Sequence, residues 1–188
     1  MKSVALVCVI GFLALVGDCA FADAGSLSAK DNAVLTAVLL HFSKSHHSAQ
    51  YNPRGYIGIA PATRALSDAW TDDDYLKHRA KLNPPGPQSA VTSYVSRNRQ
   101  SYRLADFPQL GAVVRVDAAE RQFDLGPDFK GPLRTYVHLR VPGYSADGQW
   151  AYVSFDYLWS IHGAYATYLL KLIDGGWVVV ATDFSYAV

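Results

Sequence analysis

Residues 162–184 read HGAYATYLLKLIDGGWVVVATDF, two apolar runs joined by Asp174-Gly175-Gly176. Aromatic and β-branched residues dominate both runs, and an Asp-Gly pair is turn chemistry, so the stretch predicts a β-hairpin with a short glycine-bearing loop. Upstream, TYVHLRV (135–141), a turn across Pro142 to Gly148, and WAYVSFDY (150–157) extend the pattern into an antiparallel meander. The chain before it reads helical. Ser28 with Asp31 forms a variant capping box, and Val34, Leu35, Val38, Leu39 and Phe42 repeat at helical spacing. Thr71 ahead of Asp72-Asp73-Asp74 marks a second N-terminus, since negative charge in a first turn suits the helix dipole. That helix must stop before Asn83-Pro84. Ser89 to about Gln100 predicts a further helix, with Val91, Tyr94 and Val95 inward. Tyr56–Ile59 and Ala112–Val116 read as short strands, and Asp117 with Glu120 as a capping box. Helices first and a meander last is an α+β pattern: N-terminal helices packed on a C-terminal antiparallel meander of roughly four to five strands, covering one of its faces.

The N-terminus sets the expected compartment. Met1-Lys2 is a short positive region, and Val4–Val16 is an apolar run of signal-peptide length, too short to span a bilayer. Ala20, Ala22 and Ala24 follow as small residues for a signal peptidase. We therefore expect residues 1–22 to be a signal peptide, residues 23–188 a single α+β domain, and the product periplasmic or secreted, with no integral membrane segment after processing. Both cysteines, Cys8 and Cys19, fall inside that leader, so the mature domain would carry neither a disulfide nor a thiolate. Roughly 165 residues are enough to build a core without such staples, and a composition of 50% apolar and 13% aromatic residues argues against disorder.

A formal net charge of +1 with no polybasic run gives no reason to expect nucleic acid as a partner. Glu120 is the only glutamate, which removes HExxH and paired-glutamate glycosidase chemistry. No cofactor-binding loop is present, and none is expected. Against this background, VTSYVSRNRQSYRL, GAVVRVDAAERQF, LRVPGYSADGQWAYVSF and HGAYATYLLKLIDGGWVVV, in that order, resemble a group of uncharacterised exported bacterial proteins. The shared features are a helix with a trailing asparagine, a strand-to-capped-helix step, and a closing meander with a glycine-marked strand and a D/N-G-x-W turn. The group often has a cysteine where Ile161-His162-Gly163 stands here. The resemblance covers roughly Val91 to Val180 and implies export and fold, not an activity.

Histidines are the natural acid–base candidates near neutral pH. His162, in an expected inter-strand loop with Asp156 and Trp159, offers a His/Asp pair for catalysis or a polar anchor for binding. His41, His46 and His47 are close enough in sequence to suggest a weak metal site, although their spacing is not that of a helical ligand pair. His138 alternates onto one strand face with Tyr136 and Arg140. GYSADG lacks the GxSxG elbow, so no serine nucleophile is announced. Tyr157 and Trp159 are the aromatics expected to be exposed for binding. The expectation is a non-catalytic binding or inhibitor/immunity-type module with an envelope or secreted protein partner; the alternative is a small periplasmic hydrolase.

Overall fold

A computed structural model describes residues 26–45, 56–67, 72–104, 107, 110, 114–116, 133–159 and 162–186. Among these residues, three helices, α1 (Ala29–Lys44), α2 (Asp72–Lys81) and α3 (Gln88–Arg97), accompany seven strands. These are β1 (Tyr56–Ile59), β2 (Val114–Val116), β3 (Leu133–His138), β4 (Gly143–Tyr144), β5 (Trp150–Trp159), β6 (His162–Ile173) and β7 (Gly176–Tyr186). The sheet order is β2-β1-β3-β5-β6-β7, with β4 also on β5. The fold is α+β as expected, and β3, β5, β6 and β7 form the antiparallel meander. The sheet is larger than the meander alone, because β1 joins it in parallel with both β2 and β3. The Thr71 cap and the Asp117/Glu120 capping box lie outside the described residues.

Local chemistry accounts for the element ends. Ser28 Oγ accepts from the Asp31 N–H at 3.1 Å while Asp31 Oδ2 accepts from the Ser28 N–H at 3.1 Å, which closes the capping box of α1. The β6–β7 turn is Asp174-Gly175, with φ of 51° and 80°, and both residues adopt the left-handed conformation of a two-residue hairpin.

The expectation of helices on one sheet face is corrected: both faces are covered. Along β5, Ala151, Val153, Phe155 and Tyr157 join the α1 stripe in one core, whereas Tyr152 packs with Ala90, Val91, Tyr94 and Val95 of α3 and Tyr75 of α2 in another. Strand side chains alternate between faces, so a strand covered on both sides must be apolar at both parities. This is why the meander reads so uniformly hydrophobic. Tyr157, expected to be exposed, is 1% exposed and meets Phe42 edge-on at 5.0 Å between ring centroids. Its parity places it beneath α1.

Two polar devices join the layers. Arg97 of α3 grips Asp31 of α1 in a two-pronged pair, Nη1 to Oδ1 at 2.8 Å and Nη2 to Oδ2 at 2.9 Å, and the Tyr144 hydroxyl donates to Oδ1 at 2.9 Å. Burial alone would push the Asp31 carboxyl up, but hydrogen bonds from Arg97, Ser28 and Tyr144 outweigh it and hold the carboxyl below its ordinary value. A depressed folded-state pKa means that this stability is present above the unfolded value of about 3.9 and is lost as pH falls through the folded one. Asp31→Asn is therefore expected to cost about 2 kcal/mol at neutral pH. Urea unfolding followed from pH 7 downward should show the gap between wild type and variant closing below about pH 4; a gap independent of pH would refute the assignment. The second device is Asn98, fully buried at the end of α3. Its side chain donates to the Tyr94 and Val141 carbonyls and accepts from the Val141 N–H, each at 2.8 Å.

Candidate functional site

On the α2/α3 side of the sheet the apolar pattern is interrupted. Asp156 is the only charged residue in β5, and its register partners are His138 on β3 and Tyr165 on β6. Arg140 lies two residues past His138, on the same parity, and its guanidinium contacts Asp156 Oδ1. Arg64 approaches from the segment after β1. Its backbone N–H donates to the Leu139 carbonyl at 2.8 Å, and Leu66 N–H donates to the Asn98 carbonyl at 2.8 Å, so this segment is held across the strand end. Arg64 Nη1 then donates to Asp156 Oδ2 at 2.7 Å. One carboxylate is thus clamped by two guanidiniums from different elements.

This clamp borders a cavity of about 150 Å³, whose walls also include Ser67, Tyr75 and Tyr165. Tyr75 comes from α2 and packs edge-on against Tyr94 at 5.3 Å between centroids, which sets the ring beside the cavity. Burial, with a contribution from the Asp156 carboxylate, pushes the Tyr75 phenol up to about 12, so it keeps its proton at neutral pH. Arg140 is deeply buried, its side chain 8% exposed, whereas Arg64 is 52% exposed. Burial works against the Arg140 charge, and the surrounding tyrosines and Asp156 outweigh it. Replacing Asp156 by Asn keeps the shape but removes the anion between the two cations. The expected cost is about 2 kcal/mol, less than for deleting one partner of a buried pair outright. Urea midpoints of Asp156→Asn, Arg64→Gln and the double variant form the check, with the Arg64 loss becoming smaller once Asp156 is neutral.

Asp156 stands at the centre of this cluster; the histidine proposed to accompany it stands elsewhere. His162 is the first residue of β6, not part of a loop, and pairs with Trp159, the last residue of β5. The correction has a simple cause. Only two residues separate the strands, so the ladder runs to its end. Three residue steps, about 10 Å at a strand's rise, separate the Trp159–His162 pair from the Asp156–Tyr165 pair. The histidine opposite Asp156 is instead His138, buried and edge-on to Tyr136 at 5.3 Å. His41 lies on α1, over the other sheet face, with its ring 5.7 Å from that of Tyr168. His46 and His47 lie outside the described residues. Among the described residues, no three His, Cys, Asp or Glu side chains gather as a metal-ligand set.

Arg64, Arg140, Tyr75 and Tyr165 were not singled out as site residues. A signal exists for Arg140. Lone opposite charges in apolar strand runs, Asp156 in WAYVSFDYLW and Arg140 in TYVHLRV, must find each other if both faces are covered, because an unpaired buried charge is too costly. Comparison with protein families, with curated proteins and with solved structures returns no match. Among the described residues no helix is long and apolar enough to cross a membrane.

Proposed function

We propose that this chain is an exported envelope protein acting as a non-catalytic binding module, with the Arg64–Asp156–Arg140 pocket as its recognition site. The observation that carries the reading is the clamp itself, a charge cluster beside a cavity, with Arg140 and Asp156 largely buried and Arg64 about half exposed at its mouth. Polar groups of this kind, placed in an apolar surround, fix the orientation of a ligand. The clamp also argues against hydrolysis through Asp156. Each of its oxygens meets a guanidinium, whereas a general base needs a lone pair directed at the substrate. Export is supported by the Val4–Val16 run and the alanines that follow it. Inhibition or immunity toward an envelope or secreted protein is the form of binding that the absence of a nucleophile motif favours.

Two measurements test this reading. Mass spectrometry of the protein recovered from the periplasm or medium should show a mature N-terminus after Ala20 or Ala22; retention of residues 1–22 would overturn export. NMR titration with peptidoglycan fragments, envelope glycans and periplasmic extract should shift resonances around Arg64, Tyr75 and Tyr165, with Arg64→Gln suppressing the shifts. Shifts centred elsewhere would relocate the site, and appearance of cleavage products would favour the hydrolase.

A further inference from the structure

We infer that the pocket takes a small oxyanion, a carboxylate or phosphate group, seated between Arg140 and Arg64. This inference rests on the pocket being the recognition site and names the chemistry it recognises. The first support is charge. Among the described residues lining the cavity, two guanidiniums face a single carboxylate, an excess of one positive charge.

The second support is an unused donor. Among the described residues no acceptor meets Arg140 Nε, which is buried on a side chain that lines the cavity and is more than nine-tenths covered. Buried N–H groups are nearly always paired, and a charged one left open is costly, so an acceptor is due at this position. Arg64 supplies the complementary half. It donates to Asp156 through Nη1 alone, and its exposed head can present its other nitrogen to the same incoming oxygen group. Guanidinium groups suit carboxylates and phosphates because their planar N–H donors match two oxygens at once.

Size narrows the ligand further. The cavity of about 150 Å³ is well below the roughly 300 Å³ at which pockets for drug-sized molecules begin. It therefore admits a terminal group, either a free anion or the end of a larger partner. No bond forms or breaks: the oxyanion accepts from Arg140 Nε and Arg64, and Asp156 keeps its Arg140 contact.

The experiment is a titration of the mature protein with inorganic phosphate, with acetate and with neutral acetamide, at ionic strength held constant with sodium chloride. Readouts are thermal midpoint and NMR shifts. A short peptide with a free C-terminal carboxylate, compared with its amide, separates a partner's end group from a free anion. At least one anion should give saturable binding that weakens by about ten-fold or more in Arg64→Gln, a change at an exposed head that leaves the fold in place. Arg140→Lys, which retains charge but lacks the fork, should weaken it similarly. Absence of saturation with every anion, equal binding by Arg64→Gln, or an equal response to acetamide would overturn the inference. If anions fail while Arg64-dependent shifts with envelope components persist, the oxyanion falls and the recognition site stands. If both fail, both fall.

Discussion

Gly143→Ala is expected to lower the unfolding free energy by more than about 4 kcal/mol. Gly143 opens β4, where the strand crosses directly over α3. A Cβ built there would fall on the carbonyl oxygen of Ala90 and the backbone nitrogen and Cα of Tyr94, well inside any contact distance. Those atoms belong to a helix backbone, which cannot rotate away as a side chain can, so β4 and α3 would have to separate. Separation would loosen the packing of Ala90, Val91, Tyr94 and Val95, all buried in the core on this face. Gly176→Ala is the control, because its nearest neighbour atom would lie at an ordinary 3.6 Å. Urea unfolding of both variants is the measurement; a loss below about 1 kcal/mol at Gly143 would show that the helix can yield.

Asn98→Ala follows closely, at about 4 kcal/mol. The substitution deletes three hydrogen bonds in a fully buried environment and leaves the Val141 N–H and C=O without their partner. Here Asn98 does what a neighbouring strand would do, extending the β3 line past its last ladder residue and tying it to the end of α3. Asn98→Asp separates shape from chemistry. The carboxylate retains the acceptor for the Val141 N–H but turns negative oxygen toward two carbonyls, which raises its pKa above the unfolded value. Its extra cost is therefore expected above that pKa, with relief as pH falls through it. Denaturation of both variants at neutral and acid pH checks this, and equal losses for Asp at both would refute the donor assignment.

The trailing asparagine was visible as a feature of the helix end, but its work was not. Asn98 and Val141 lie 43 positions apart, and only the packed chain shows that one side chain serves both backbone groups. Arg140 and Asp156 tell a similar story. Parity placed Arg140 on the face of Tyr136 and His138, yet the β3–β5 register was needed to set Asp156 beside it. Arg64 and Tyr75 come from segments whose order in space no local pattern encodes. His162 shows a related limit: the stretch between WAYVSFDY and AYATYLLKLI reads as a loop holding Trp159 and His162, but pairing continues through Trp159–His162 to the strand ends.

What sequence alone determined is what local physics controls. The capping box at Ser28, the stop before Asn83-Pro84, the inward faces of α1 and α3 and the Asp174-Gly175 turn all follow from backbone preference and hydrophobic period over a few residues. The closing hairpin belongs with these, since alternation and a two-residue turn suffice to specify it. Tertiary structure decided the rest: that helices cover both faces, that Tyr157 is buried, that β1 joins in parallel, and that two arginines meet Asp156 at a cavity. These are long-range pairings, selected by the need to bury apolar surface on each side of the sheet and to compensate every charge taken inside. A charged residue in an apolar strand announces that a partner is required; the fold alone names it.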